Sequence, residues 1–293
     1  MLFITVSPSS TYAPVLAEAK RAQIPVIFVG GACPKEAYPP ADALQFCTTG
    51  LEPRYDATAA FAFINEVKDA PVRLGLIAAS IPLSRNGIEF AEGHAREVGF
   101  SPVSKEIIPL GTADYTPFAM KLKEADPTWV YAWAPWLIQA RTFESLRRLG
   151  WQGNFFAWGQ IEAEAELARL KDDKLYMIGS HALFKDNLPV HEEIRAAARA
   201  ANVRYPAEQL PEGWVAGMVI EATLKAAGWP VTSAKLADAM QTISVDTKGL
   251  RGGPIKWTKE NHARKQQHYR VYRWDSTKSA IVTVRDWLQY DLE

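Results

Sequence analysis

Five histidines, two cysteines and the absence of any catalytic spacing limit the chemistry this chain can do. His94, His181, His191, His262 and His268 are scattered without the i,i+4 spacing that puts two imidazoles on one metal. Cys33 and Cys47 lie outside any CxxC spacing and cannot build a four-ligand zinc site alone. They pack as small hydrophobes or form a bridge in an oxidising compartment. No phosphate-binding GxxxxGK[ST], dinucleotide GxGxxG, GxSxG nucleophile turn or HExxH helix is present. An enzyme such as a hydrolase would need a nucleophile–base pair, and no spacing announces one. No metal and no cofactor is expected.

Residues suited to holding a ligand are easier to find. Ser9 and Ser10, in the loop Ser7-Pro8-Ser9-Ser10-Thr11, follow a strand and precede a helix, where open α/β sheets bind ligands. Their hydroxyls and the free N–H groups of the helix start suit a carboxylate, or equally an ordinary N-cap. Gly30, Gly31 and Ala32 follow the next strand, where glycine lets the backbone approach a ligand or merely allows a positive φ. Trp133, Trp136 and Trp158 stand at or just beyond two strand ends, either as apolar walls with a polar tip or as core packing beneath loops. Ser84 and Arg85 follow a strand in the same way. Arg85 is either a fork for a carboxylate or a solvated surface group. Trp129, Tyr131, Phe155 and Phe156 fall within strands and read as core.

These residues sit in an alternation of short β-branched or aromatic runs with helical patterns. Strands are expected at 2–6, 26–29, 44–48, 73–79, 103–108, 129–133, 154–157 and 175–181. Helices are expected at 11–22, 57–67, 86–98, 116–125 and 137–149. Strands separated by helices of about 10–15 residues imply βαβ units and a parallel sheet covered on both faces. Beyond residue 181 the pattern turns helical (191–201, 212–227, 233–241), then to short strands in LRGGPIKWT, HYRVYRW and AIVTV. The fold class is α/β, with two doubly wound parallel-sheet lobes crossed more than once. The first strand begins without a lead-in, as if the chain opened inside a lobe.

Composition agrees with that class. The 293 residues are 48% hydrophobic and 23% charged, enough for two compact lobes. Lys+Arg 33 against Asp+Glu 33 leaves no basic excess for nucleic-acid phosphates. No apolar run approaches the roughly 20 residues that span a bilayer. The opening MLFITVSPSSTY lacks the basic and sustained apolar regions of a signal peptide.

The order of segments resembles the periplasmic binding proteins of the branched-chain amino acid transport family. SPSSTYAPVLAEAKRAQIPVIFVGGA, FCTTGLEPRYDATAAFAFI, DYTPFAMKLKEADPTWVYAW, LRRLGWQGNFFAWG and LRGGPIKWTKENH are similar, in sequence order and spacing, to segments of that family over nearly the whole chain. The resemblance implies two lobes joined by three crossovers, 1–50 with 183–265 and 51–182 with 266–293. It implies a cleft in which a ligand is held without being transformed, an ABC permease as partner, a periplasmic location and a monomer. Against the family pattern, three strand–helix units of the first lobe and a secretion signal are expected to be absent. A related alternative is a ligand-sensing domain.

By the same resemblance Ser9 falls on the serine that binds the ligand's α-carboxylate, Gly30 contributes backbone, and Ala32 replaces a threonine. Ser84 falls where members often carry tyrosine. Gly159 replaces the acid that holds the α-ammonium, although Glu52 at a crossover is a second source of charge. A buried ammonium without a carboxylate is strongly disfavoured. The expected ligand is therefore an apolar or aromatic carboxylate, its head on Ser9, the 30–32 backbone and Arg85, its body against Trp133, Trp136 and Trp158. A branched-chain amino acid or amide is the alternative within the family.

Overall fold

The computed structural model describes residues 3–5, 12–29, 31–48, 52–159, 163–263 and 266–291. The chain opens with β1 (Phe3–Thr5), α1 (Tyr12–Arg21), β2 (Val26–Phe28) and β3 (Gln45–Cys47). There follow α2 (Pro53–Val67), β4 (Arg73–Ala79), α3 (Pro82–Glu97), β5 (Ser101–Ile108), α4 (Thr116–Glu124) and β6 (Trp129–Trp133). Next come α5 (Trp136–Arg148), β7 (Asn154–Trp158), α6 (Ala163–Leu170) and β8 (Leu175–Gly179). The chain then runs through α7 (Pro189–Ala200), α8 (Pro211–Ala227), α9 (Ser233–Met240), β9 (Ser244–Val245), β10 (Ile255–Lys256), β11 (Gln266–Asp275) and β12 (Ala280–Asp291). Pro53, Pro82, Pro117, Pro189 and Pro211 stand in the first or second helical position, where the missing N–H has no intrahelical partner to lose and the fixed φ suits the helix. For that reason α2 and α3 start four residues before the expected 57 and 86.

Two compact units divide the chain: Met1–Glu52, Ser180–His268 and Gln289–Glu293 form the first; Pro53–Gly179 and Tyr269–Leu288 form the second. In the first, β1, β2 and β3 make a parallel sheet in that order. Every residue of β2 and β3 is buried, as expected for parallel strands covered on both faces. The core gathers Ile27 and Phe46 from the strands with Val190, Ile194, Val215, Val219, Met240, Ile255 and Trp257. An antiparallel ribbon, β9 with β10, closes this unit.

The second unit is built on a seven-stranded sheet of order β12-β11-β8-β7-β6-β4-β5. Strands β4 to β8 are parallel along it. Contrary to a purely parallel reading, β11 runs antiparallel to β8. Alternating burial along β11 is what a strand shows in either direction, so polarity is not written in the residues. Trp129, Tyr131, Phe155 and Phe156 are buried, with Tyr131 edge-on to Phe61 at 5.2 Å. No helix among the described residues is long and apolar enough to cross a membrane.

Candidate functional site

At the carboxyl ends of β4, β6 and β7 the strand ladder stops, and side chains from three helix first turns bond to the strand ends, two to backbone and one to an indole. Ser84, in the first turn of α3, is fully buried. Its Oγ accepts from the Ala79 N–H at 2.8 Å and donates to the Trp133 carbonyl at 2.5 Å, joining the ends of β4 and β6. Asp56, in the first turn of α2, is fully buried and accepts the Trp133 indole N–H on Oδ2 at 2.9 Å. A carboxylate there is also favoured by the positive end of the helix. Gln139, in the first turn of α5, bridges the Ala134 carbonyl to both backbone groups of Trp158.

This frame sets two indoles against each other. The Trp133 and Trp158 rings lie 5.6 Å apart at 36°; Trp133 is buried and Trp158 half-buried. Gly87 lets α3 approach the start of α2 beside this pair, since a Cβ there would come within 2.6 Å of Pro53 Cβ, while meeting Trp133 only at an ordinary 3.7 Å. Gly159 is buried and donates its N–H to the Ile178 carbonyl at 2.6 Å, continuing the β7–β8 pairing. Trp136 lines a separate recess of about 520 Å³ with Pro135, Leu137, Ala140, Arg141, Glu166 and Arg169. Its charged groups already pair, Arg169 with Glu166 and Glu144, and Arg141 with Glu144. Arg85 is exposed on α3.

In the first unit, Ser9, Ser10 and Gly30 lie outside the described residues, while Gly31 and Ala32 are buried just beyond β2. A Cys33–Cys47 disulfide ties that loop to the last residue of β3. Thr48, the next residue, donates both its N–H and its hydroxyl to the Phe28 carbonyl at the end of β2. Trp257 donates its indole N–H to the Cys47 carbonyl at 3.1 Å. Arg251, with a side chain only 2% exposed, pairs with Glu212 at 2.6 Å and donates to the Ser180 hydroxyl at 2.6 Å and carbonyl at 3.1 Å. Beside it His181 is held neutral, its pKa pushed down to about 3 by burial and then by the Arg251 charge. Glu52 accepts a hydrogen bond from the Tyr38 hydroxyl. Among the described residues no group of three or more His, Cys, Asp or Glu gathers as a metal site.

Of the three tryptophans singled out in the sequence, Trp133 and Trp158 meet and Trp136 lies apart; Asp56, Gln139 and Arg251 were not singled out. Gln139 had a signal, a lone amide inside the apolar run of WLIQA, which is where a buried polar group must have partners.

Two α/β units with polar and aromatic groups at the carboxyl ends of parallel strands form an arrangement suited to ligand binding. Residues 2–279 match the model of a family described as periplasmic binding protein. The chain belongs to that family, whose members bind rather than transform their ligands. No curated protein matches the chain significantly. Among solved structures it is similar to a branched-chain amino acid ABC transporter protein from Thermus thermophilus with bound valine. The TM-score is 0.78 at 17% identity, over 98% of this chain and 77% of that one. An ABC transporter substrate-binding protein from Sphaerobacter thermophilus matches with TM-score 0.78 and 17% identity, over 98% and 79% of the two chains. An amino acid ABC transporter substrate-binding protein from Pseudomonas fluorescens Pf-5 gives 0.76 and 14%, over 99% and 78%. These likenesses establish the type I periplasmic binding protein fold.

Proposed function

We propose that the chain is the substrate-binding component of an ABC-type uptake system, capturing a small apolar or aromatic carboxylate in the periplasm and delivering it, as a monomer, to a membrane permease. The observation that carries this reading is the Trp133–Trp158 pair at neighbouring strand tips. Trp158, half-buried and backed by the buried Trp133, offers an apolar wall suited to a flat body. Gly159, where the resemblance expects an acid, brings no charge to receive an ammonium. The carboxylate end is assigned to Ser9, Ser10, the 30–32 backbone and Arg85, and the disulfide suits an oxidising compartment. A second reading, a branched-chain amino acid ligand, is favoured by the valine in the Thermus thermophilus structure.

Calorimetric titration of the full-length protein with benzoate, phenylacetate, leucine and valine separates the two. Binding of an aromatic acid, weakened by roughly 1–3 kcal/mol in Trp158→Ala, is the expected result. Binding of leucine or valine but of no aromatic acid refutes the first reading and supports the second.

A further inference from the structure

Gln139 does at β7 what a neighbouring strand does elsewhere in the sheet. The β6–β7 ladder pairs Trp129 with Asn154, Val130 with Phe155, Tyr131 with Phe156 and Ala132 with Ala157, and ends there. One residue further, Trp158 still pairs with Ile178 of β8 on its other side. On the β6 side its backbone N–H donates to Gln139 Oε1 at 3.0 Å, and its carbonyl accepts from Gln139 Nε2 at 3.1 Å. This reciprocal pair has the donor–acceptor pattern of two residues facing each other in an antiparallel ladder. The same Nε2 donates its second proton to the Ala134 carbonyl at 2.7 Å. Three partners fix which end of the amide is oxygen, because the reverse orientation would set Oε1 against two carbonyls.

Gln139 itself is fully buried, and its bond to the Ala134 carbonyl is shielded from water, while the two to Trp158 are partly so. The amide therefore holds the end of β7 against the end of β6 and fixes the backbone from which the Trp158 ring projects. Trp133 is fixed independently, at its carbonyl by Ser84 and at its indole by Asp56. Trp158 is held at its backbone, by Gln139 on one side and by Ile178 of β8 on the other.

We propose that Gln139 is a positioning residue that sets ligand specificity, by locking Trp158 at the distance and tilt from Trp133 at which a flat ring is accepted. The proposal rests on the binding reading above, but its structural half is measurable without ligand. In the wild-type protein the Trp158 amide is expected to resist hydrogen exchange as strongly as the β7 core. The far-ultraviolet exciton couplet of the two indoles should be present in wild type and removed by Trp158→Phe. Gln139→Met keeps the length and loses all three bonds. It is expected to abolish the couplet, speed exchange at Trp158, and weaken benzoate binding by about tenfold or more while changing pentanoate binding by less than about threefold. If the methionine variant does not fold, exchange at the Trp158 amide of the wild type carries the structural half of the test alone.

Fast exchange at Trp158 in the wild type overturns the proposal, with or without any variant. So does a couplet that survives in a folded Gln139 variant, or an equal loss of both probes. A wild type that binds neither probe, while couplet and exchange behave as stated, instead refutes the carboxylate reading and leaves the positioning of Trp158 supported by spectroscopy alone.

Discussion

Opening the Cys33–Cys47 bond should loosen the first unit through its unfolded state. The bond joins residues 14 apart in sequence, a loop for which the chain-entropy model gives about 3 kcal/mol. Cys47 is completely buried in a small cluster with Val26, Phe28 and Ala37, so reducing the bond leaves the native packing nearly unchanged. The assay is native-state hydrogen exchange at the amides of Ile27 and Phe46, whose strands belong to the first unit alone. Oxidised wild type, wild type in reductant and Cys33→Ala/Cys47→Ala are compared. Protection should fall by about 3 kcal/mol on reduction, and somewhat further in the double alanine variant, which also loses two buried sulfurs. The urea dependence should steepen in both, because an uncrosslinked unfolded chain exposes more surface. Protection that changes by less than about 0.5 kcal/mol on reduction, well below the loop-closure figure, would show that the loop beyond β2 is held by its other bonds and that the reasoning from chain entropy is wrong.

Further tests address single side chains. Gly87→Ala should destabilise the protein by about 1–3 kcal/mol, since its Cβ would meet Pro53 at 2.6 Å. Gly93→Ala in the same helix meets nothing within 4 Å and should stabilise by about 0.5–1 kcal/mol; thermal unfolding reads both signs. Arg251→Met strands Glu212 and should cost roughly 3 kcal/mol, with Arg251→Met/Glu212→Leu recovering much of it in denaturant unfolding. His181, pushed down to about 3, is protonated in the unfolded chain first as pH falls below about 6.5. Stability is therefore complete above that pH and falls between it and about 3, by up to about 1.4 kcal/mol per pH unit. His191 and His262 are lowered by burial as well and add to the slope. His181→Gln should remove one proton's share, and an unchanged slope would count against the assignment.

The alternation of strands and helices was legible because strand and helix periods differ and apolar runs such as WVYAW and NFFAW have little choice but to be buried. Helix starts were harder to read: Pro53 and Pro82 look like turn residues, yet they open α2 and α3 because proline fits a first turn. The eight residues of α6, AEAELARL, were too short a pattern to stand out. The disulfide depended on an adjacency that no spacing encodes: β2 and β3 are parallel neighbours, which brings the residue beyond one strand to the end of the other. At the site, indoles are conspicuous by type, and their place at strand ends follows from the element pattern. Ser84, Asp56 and Gln139 are ordinary polar residues whose roles arise only when helix first turns meet finished strands.

Those three side chains tie the ends of β4, β6 and β7 to neighbouring backbone and indole, so this rim of the second unit is organised by its own hydrogen bonds. Little ordering entropy is then charged to the protein on this side of the encounter. Under the proposed binding reading, a guest that fits loses mainly its own freedom, whereas one of the wrong outline meets walls already held in place.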